Sequence, residues 1–157
     1  MRAALLCVGK LKEKYWRDAC AEYLKRLTRY GQVELIEVPD APEPAHASPG
    51  ADAQVLRIEG ERLLAKIRPD DYVIALAIDG KSYTSVGFGE HVEKVMLKGR
   101  MVFVIGGSLG LSPEVYARAN ERISFSALTF PHQMMRVIFL EQLYRACRIQ
   151  AKEPYHK

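Results

Sequence analysis

The chain has 157 residues, a mass of 17.7 kDa and a formal net charge of +4, which is the size of a single domain. Hydrophobic residues make up 48% of it and charged residues 27%, so intrinsic disorder is not expected. No stretch approaches the roughly 20 apolar residues of a membrane span, and the first apolar run is too short for a secretory signal. Three widely spaced cysteines without a CxxC pair argue against a zinc site or a disulfide framework, so we expect a cytoplasmic protein.

Five segments make up the first half of the chain. Short apolar runs at residues 3–8 and 33–38 predict strands. Apolar residues recur at helical spacing over residues 15–29, and a second, weaker helix is predicted over residues 53–67. Between the second strand and the second helix, four prolines within residues 39–49 predict a mobile surface loop.

The second half continues the alternation of strands and helices. Two fully apolar runs, at residues 72–78 and 101–105, are typical of strands buried in a parallel sheet. The other predicted elements are a helix over 86–97, a helix from Pro113 to about Asn120 capped by Ser112, a strand over 123–125 and a long helix over 131–150. This order predicts an α/β fold, with a mostly parallel sheet and helices on both faces, in one domain over residues 1–157.

Positive charge is concentrated at the two ends of the chain. Residues 1–30 hold eight basic and three acidic side chains, and residues 131–157 hold five basic and two acidic ones. Residues 31–60 have the opposite balance, with one basic and six acidic side chains. Basic ends are typical of a protein that binds a polyanion, although solvated helix faces produce the same pattern.

Ligands of parallel α/β folds bind at the carboxyl ends of strands, where we expect loops over residues 79–85, 106–112 and 126–132. The second loop contains the run Gly106-Gly107-Ser108-Leu109-Gly110, whose glycines allow a ligand to approach the backbone. Its GxSxG spacing also matches the nucleophile elbow of serine hydrolases, with Ser108 as the nucleophile. That hydrolase is a weak alternative, because no helix begins at once and no Asp follows Asp79. A tight turn without a ligand is the simplest interpretation.

The segment before the last helix is small, apolar and almost uncharged: Ser124-Phe125-Ser126-Ala127-Leu128-Thr129-Phe130-Pro131-His132. It offers a ligand no charged side chain, but its backbone N–H and C=O groups suit a flat heterocycle such as adenine. Periodicity alone favours the simpler interpretation, a buried connection between a strand and a helix.

The last helix is apolar on almost every side, which predicts burial by the sheet on one face and by a second subunit on the other. Glu141, Arg145 and Arg148 form a narrow polar stripe, in which Glu141 and Arg145 are spaced for an ion pair. Arg136 lies among apolar neighbours outside this stripe. It is either paired in an interface or held for an anionic substrate.

The chain ends in Pro154-Tyr155-His156-Lys157, which combines an aromatic, a titratable and a basic side chain. A tyrosine can stack on a nucleobase, and a histidine can exchange a proton near neutral pH. A frayed terminus is the alternative, since chain ends are usually disordered.

Taken together, these motifs resemble one family. They are, in chain order, LLCVGKLK with EYLKRL, ALAIDGKSYTS, FVIGGSLGLSPEV, SFSALTFPHQMMRVIFLEQLYRA and PYHK. In combination they resemble the RlmH family, the small bacterial ribosomal RNA large subunit methyltransferases H of the SPOUT superfamily. The resemblance covers essentially the whole chain. Phe125 and Phe130 stand where leucine is common in that family, and Lys157 stands where arginine is usual.

The resemblance implies an α/β fold with a C-terminal trefoil knot, a homodimer, and S-adenosylmethionine as methyl donor without a metal. It implies methylation of N3 of a pseudouridine in helix 69 of 23S rRNA, within the assembled ribosome, in the cytoplasm and without a membrane. The positions that match the family's cofactor contacts are Leu76, Gly106, Phe125, Ser126, Ala127, Leu128, Thr129 and Phe130.

The imide nitrogen that would accept the methyl group bears a proton, so we expect a base to remove it, an effect typically worth about 10²–10⁴-fold. His156 is the candidate base or proton relay, with Tyr155 positioning the nucleobase. Arg136 and Arg145 are candidates to stabilise negative charge on the imide or to hold phosphate. The alternatives are a ribosome-binding factor without catalysis, and the Ser108 hydrolase.

Overall fold

Strands and helices alternate along the whole computed structural model, which describes residues 1–43, 45–46 and 48–157. Each predicted element is present, with ends that differ by a few residues. The elements are β1 Arg2–Val8, α1 Lys14–Leu27, β2 Gln32–Val38, α2 Pro49–Leu64, β3 Tyr72–Ser82, α3 Ser85–Val95 followed by a 3₁₀ turn Met96–Lys98, β4 Met101–Ile105, α4 Pro113–Arg118, β5 Glu121–Ser124 and α5 His132–Gln150.

The proline-rich segment is shorter than predicted, because α2 begins at Pro49 instead of residue 53. The Ser48 side chain accepts a hydrogen bond from the N–H of Ala51 at 3.2 Å, and Pro49 occupies the first turn. A capping serine followed by proline is a strong start signal for a helix. Of the predicted 39–49 loop, Pro44 and Ala47 lie outside the described residues, and its mobility stays a prediction.

All five strands pair in parallel, in the order β2-β1-β4-β3-β5. Helices α1, α3 and α5 pack on one face of the sheet, and α2 and α4 pack on the other. The predicted α/β fold is therefore confirmed, whereas the trefoil knot stays a prediction. In the described ranges, no helix combines the length and the apolar character needed to cross a membrane.

Alternate residues of the central strands fill two separate core layers. On the face covered by α5, Leu5 and Phe103 are fully buried, and the ring of Phe103 lies 4.5 Å from that of Phe139. On the opposite face, Leu6 packs in a second layer with Val115 of α4. Burial on both faces explains why the central strands have unbroken apolar sequences.

β3 runs to Ser82, beyond the predicted end at residue 78, and its pairing with β5 is irregular. Leu76 and Lys81 both lie opposite Ile123, so the residues between them bulge out of the ladder. Gly80 is needed there, because a Cβ at this position would lie 2.5–2.7 Å from backbone atoms of Ile123. A prediction from hydropathy ends this strand at residue 78, because the residues that follow the apolar run are mostly polar.

A buried ion pair joins the start of β3 to the start of β4. The Arg100 guanidinium donates to both carboxylate oxygens of Asp71, at 2.9 and 2.7 Å, and the two side chains are 8% and 1% exposed. The N–H of Arg68 donates to Asp71 as well, at 2.7 Å. Burial acts to raise the pKa of Asp71, but the hydrogen bonds from Arg100 and Arg68 outweigh it and lower the pKa below its usual value.

Replacing this carboxylate tests how much the ion pair stabilises the fold. Asp71→Asn leaves the Arg100 guanidinium buried without its counter-charge, so we expect the free energy of unfolding at neutral pH to fall by about 3–5 kcal/mol. Because the pKa of Asp71 is lowered in the folded state, its stabilisation exists above the unfolded-state pKa and disappears as the pH falls through the folded-state pKa. The difference between the variant and the unmodified protein should therefore shrink in acid.

Urea unfolding followed by circular dichroism, at neutral and at acidic pH, measures both effects. The control is Asp70→Asn, because Asp70 is the exposed neighbour of Asp71. Equal losses for the two variants at neutral pH would contradict the prediction.

Candidate active site

A cavity of about 440 Å³ lies beside the bulge of β3 and the carboxyl ends of β4 and β5. Three segments form most of its walls: residues 76–78 of β3, the glycine loop after β4, and the segment that joins β5 to α5. We call it the strand-end cavity, and its position is the usual one for ligands in parallel α/β folds. Its lining residues are Leu76, Ala77, Ile78, Ile105, Gly106, Gly107, Ser108, Leu109, Gly110, Leu111, Tyr116, Ile123, Ser124, Phe125, Ser126, Leu128, Thr129, Phe130, His132 and Met135.

The glycine loop folds as a tight turn against the cavity. The N–H of Gly110 donates to the carbonyl of Gly107 at 3.1 Å, and Gly110 has a φ of +84°, which side chains disfavour. A Cβ on Gly106 would collide with the backbone of Gly110. Glycine is therefore required at positions 106 and 110 for the turn itself.

Ser108, the nucleophile of the hydrolase alternative, lines the cavity, and its hydrogen-bond partner is a carboxylate instead of a histidine. Its hydroxyl donates to the carboxylate of Glu43. In the part of the chain that the structure describes, it makes no hydrogen bond to His132, the histidine that shares the cavity. The nucleophile elbow pairs its serine with a histidine, and Ser108 has no such contact among the described residues, so this geometry does not match that of a serine hydrolase.

Seven of the eight predicted cofactor residues line the strand-end cavity. They are Leu76, Gly106, Phe125, Ser126, Leu128, Thr129 and Phe130. Ala127 belongs to the same loop but is exposed and does not line the cavity. Local hydrogen bonds shape this loop: the Ser124 hydroxyl donates to the carbonyl of Ser126 at 3.1 Å, and the N–H of Leu128 donates to the Ser126 hydroxyl at 3.0 Å.

Among the described residues that line the cavity there is no Asp, Glu, Lys or Arg, although the Glu43 carboxylate contacts Ser108 of the lining. Burial lowers the pKa of His132, and the neighbouring Arg136 charge lowers it further, so this imidazole is neutral near pH 7. A ligand in the cavity would therefore meet hydroxyls, backbone groups and apolar side chains. Among the described residues, no group of three or more His, Cys, Asp or Glu side chains is placed to hold a metal ion.

The sequence analysis placed His132 in a ligand loop but missed six lining residues: Ala77, Ile78, Ile105, Tyr116, Ile123 and Met135. Ile105 is the last residue of β4, so its place at a strand end was an available signal. Met135 lies in the first turn of α5, directly after the predicted loop. Tyr116 comes from α4, and no pattern in the sequence indicated its contact.

Arg136 is not available to a substrate or to an interface. It is 0% exposed, and its guanidinium donates to Glu37 at 2.7 Å and to the carbonyls of Val8 and Gly9 at 2.8 and 2.9 Å. Neither of the two predicted roles for Arg136 matches this geometry, because its partners lie within the same chain. Its Nε–H has no partner among the described residues.

The C-terminal tail, residues 152–157, packs against α5. The Tyr155 hydroxyl donates to Glu141 at 2.9 Å, and Arg145 donates to the same carboxylate at 2.5 Å. Arg145 also lies over the ring of Tyr155, with 4.8 Å to its centre, and approaches His156 Nδ1 to 3.2 Å. The structure thus brings together three predicted catalytic residues, Arg145, Tyr155 and His156, and separates them from Arg136.

Tyr155 is a hydrogen-bond donor in this cluster. Burial and the hydrogen bond to Glu141 raise the pKa of Tyr155 to about 12. The phenol therefore keeps its proton at physiological pH and cannot act as a base there. This agrees with a positioning role for Tyr155.

A second cluster holds the tail in place just before these residues. Glu153 accepts a hydrogen bond from the Tyr30 hydroxyl at 2.6 Å and forms ion pairs with Arg29 at 2.8 Å and Arg148 at 2.7 Å. Its side chain is 19% exposed, so these contacts are shielded from solvent in part. We call these four residues the Glu153 cluster. The alternative of a frayed terminus does not match an end that is tied to both α1 and α5.

The strand-end cavity and the group formed by Arg145, Tyr155 and His156 lie at different positions along α5. Met135 is the last residue of α5 that lines the cavity, whereas Arg145, which contacts His156, comes ten residues later. At 1.5 Å per residue this is a separation of roughly 15 Å along the helix. Within one subunit, the structure does not bring His156 to the predicted cofactor residues.

A family model described as "Predicted SPOUT methyltransferase" matches residues 1–156. The chain belongs to the SPOUT methyltransferase family. Proteins named ribosomal RNA large subunit methyltransferase H, from Streptococcus thermophilus (strain CNRZ 1066) and from Exiguobacterium sibiricum, are 52% and 53% identical to it over the whole of both chains. The family resemblance drawn from the motifs is confirmed.

Two solved structures share the fold of this SPOUT methyltransferase. A probable methylase family protein from Haemophilus influenzae Rd KW20 superposes with a TM-score of 0.55 and 15% identity, over 99% of this chain and 70% of the other. A probable methyltransferase from Bordetella pertussis Tohama I gives 0.57 and 16%, over 93% and 94%. At these identities the likeness concerns the fold alone.

We expect the Glu153 cluster to hold the C-terminal tail of this SPOUT methyltransferase against α5. Glu153→Ala removes the acceptor shared by Arg29, Tyr30 and Arg148, so we expect residues 154–157 to detach from α5. Amide hydrogen exchange of the C-terminal peptide, followed by mass spectrometry, should be about 10- to 100-fold faster, with the strands unchanged. Glu93→Ala, on the exposed side of α3, is the control. If the C-terminal peptide of Glu153→Ala exchanged as slowly as that of the unmodified protein, the Glu153 cluster would not be what holds the tail.

Proposed function

We propose that the protein uses S-adenosylmethionine to methylate N3 of a pseudouridine in helix 69 of 23S rRNA, on the assembled ribosome. The observation that carries the proposal is the 52–53% identity, over full length, to proteins named ribosomal RNA large subunit methyltransferase H. The strand-end cavity supports it, because seven of the eight positions that match the family's cofactor contacts line one cavity.

The residues of the strand-end cavity fit S-adenosylmethionine. The volume of about 440 Å³ lies in the range typical of small-molecule sites, about 300–1,000 Å³. The turn at Gly106 leaves no room for a Cβ, so backbone forms this wall. Phe125, Leu128 and Phe130 would hold the adenine by apolar contact, with nearby backbone groups binding its edge. When bound, the cofactor supplies an activated methyl group, which leaves proton transfer to the chain.

His156 is the candidate for removing the N3 proton, and its contact with Arg145 sets a condition. A guanidinium only donates, so the 3.2 Å contact makes Nδ1 an acceptor and leaves the ring proton on Nε2. For Nδ1 to accept a proton, Arg145 must first exchange this contact for another acceptor. A phosphate or an imide oxygen of the RNA is such an acceptor, which links RNA binding to the activation of His156.

A homodimer explains how the tail and the cavity act together. Arg145, which contacts His156, lies roughly 15 Å along α5 from Met135 of the strand-end cavity, whereas direct proton transfer needs hydrogen-bond contact. Met134 and Ile149 of α5 are only partly buried in the single chain, as expected for a helix with a second packing partner. The tail of one subunit would then serve the cavity of the other.

The proposed RNA partner fits the distribution of charge. Lys25 is exposed on α1, and the C-terminal tail adds Lys152 and Lys157, both exposed. Arg29, in the turn after α1, belongs to the Glu153 cluster and so has an internal role besides any contact with phosphate. Recognition of the ribosome by these residues would place the protein in the cytoplasm and would weaken as salt rises.

The proposal is tested by methyl transfer from labelled S-adenosylmethionine to ribosomes that lack the modification. His156→Ala should lower the single-turnover rate about 10²–10⁴-fold, because the general base is lost. Binding of S-adenosylmethionine, measured by calorimetry, should not change. His46→Ala, in the segment before α2, is the control. An unchanged rate for His156→Ala would remove the proposed role, and no transfer by the unmodified protein would defeat the methyltransferase proposal and favour a ribosome-binding factor.

Mixed dimers test whether the site is shared between subunits. His156→Ala keeps the cavity and loses the tail base, whereas Gly106→Val disrupts the glycine turn and keeps the tail. Each variant alone should be inactive. Co-expressed with different tags and purified as the mixed dimer, they should regain activity, because one intact cavity meets one intact tail. A mixed dimer as inactive as its parents would show that tail and cavity act within one subunit.

A further inference from the structure

A second, smaller cavity of about 240 Å³ adjoins the strand-end cavity. The two share Ser124 and Phe125 in their linings, so they adjoin at the end of β5. The remaining walls come from the start of α3 and from the middle of α5. We call it the α3–α5 cavity. It has room for roughly eight water-sized groups, which matches the non-hydrogen atoms of a single uracil ring.

Aromatic side chains form the rigid part of the α3–α5 cavity. The rings of Phe88 and Phe125 meet edge to face at 5.6 Å. The ring of Tyr83 stacks on that of His91 at 4.9 Å, and His91 is in turn held by Glu121 at 2.6 Å. Aromatic side chains braced in this way are the surfaces on which proteins stack unpaired bases.

The cavity contains a carboxamide whose orientation is fixed. Gln142 Nε2 donates to a carboxylate oxygen of Glu141 at 2.9 Å. This bond uses one N–H of the amide and leaves the other N–H and the carbonyl oxygen of Gln142 for a ligand. None of the lining residues in the described part of the chain is charged, which suits a neutral heterocycle rather than a phosphate.

From this arrangement we infer that the α3–α5 cavity binds the target base, and that Gln142 distinguishes pseudouridine from uridine. Pseudouridine is joined to its ribose through C5, so N1 keeps a hydrogen that uridine lacks. N1–H and the neighbouring C2 carbonyl form a donor–acceptor pair that is complementary to a carboxamide. This contact leaves N3 unpaired. The base would then lie beside the wall shared with the strand-end cavity, where the methyl donor is proposed to bind.

The inference rests on the proposed function and adds to it a site for the acceptor and a residue that selects it. A site built to bind a substrate N–H disfavours the analogue without it, because its own acceptor is then left unpaired. Gln142→Leu keeps the approximate size of the side chain and removes both hydrogen-bonding groups. Gln150→Leu, on the same helix but away from the cavity, is the matched control.

The experiment uses two ribosome substrates, one with pseudouridine and one with uridine at the target positions. For Gln142→Leu we expect the single-turnover rate on pseudouridine ribosomes to fall about 10- to 100-fold, and the preference for pseudouridine to shrink. The affinity for S-adenosylmethionine and the mass of the dimer should not change. Ser85→Phe, which fills the cavity from the first turn of α3, should abolish transfer to either substrate with the same two quantities preserved.

The outcomes separate this inference from the proposed function. If the unmodified protein transfers no methyl group to either ribosome, the proposed function fails, whatever Gln142 does. If Gln142→Leu keeps both the rate and the preference while the unmodified protein is active, the assignment of Gln142 is overturned. If Ser85→Phe dissociates the dimer, the cavity belongs to the subunit interface and the inference is overturned as well.

Discussion

The buried guanidinium of Arg136 joins the two parts of the molecule on which the proposed site depends. It ties the first turns of α5 to the carboxyl ends of β1 and β2, through the carbonyls of Val8 and Gly9 and the carboxylate of Glu37. Glu37 also accepts the N–H of Leu11 at 2.7 Å, so one carboxylate fixes both the loop after β1 and the helix. A buried charge is tolerated only with such partners, which makes the position of α5 specific.

From that anchor, α5 serves three regions along its length. Its first turn closes the strand-end cavity with His132 and Met135, its middle contributes Gln142 to the α3–α5 cavity, and its end carries Arg145 beneath the tail. These three regions follow one another along the axis of α5, from its first turn towards its C-terminus. The proposed donor site, acceptor site and proton-transfer residues therefore all involve residues of a single helix.

The sequence predicted those features that depend on local pattern. β4 has the predicted bounds and α5 differs by one residue, because an unbroken apolar run and a long apolar helix are strong signals. The cavity walls were also predictable in part, since loops after parallel strands gather at one edge of a sheet. The partners of Arg136 were not, because Glu37 lies 99 positions away in sequence and only the folded chain brings them together. The bulge in β3 and the Glu153 cluster likewise depend on tertiary contacts that no local period encodes.

The uncharged lining of the strand-end cavity has a consequence for turnover. A sulfonium donor carries a positive charge that its spent thioether form lacks. No Asp or Glu is found among the described lining residues, and the Glu43 carboxylate that contacts Ser108 already accepts its hydroxyl, so the side chains of the lining give neither form an electrostatic advantage. Neutral His132 adds no repulsion either. The spent cofactor should then dissociate no faster than the fresh donor. Competition between the two forms, set by their concentrations in the cell, would govern how often the protein can act.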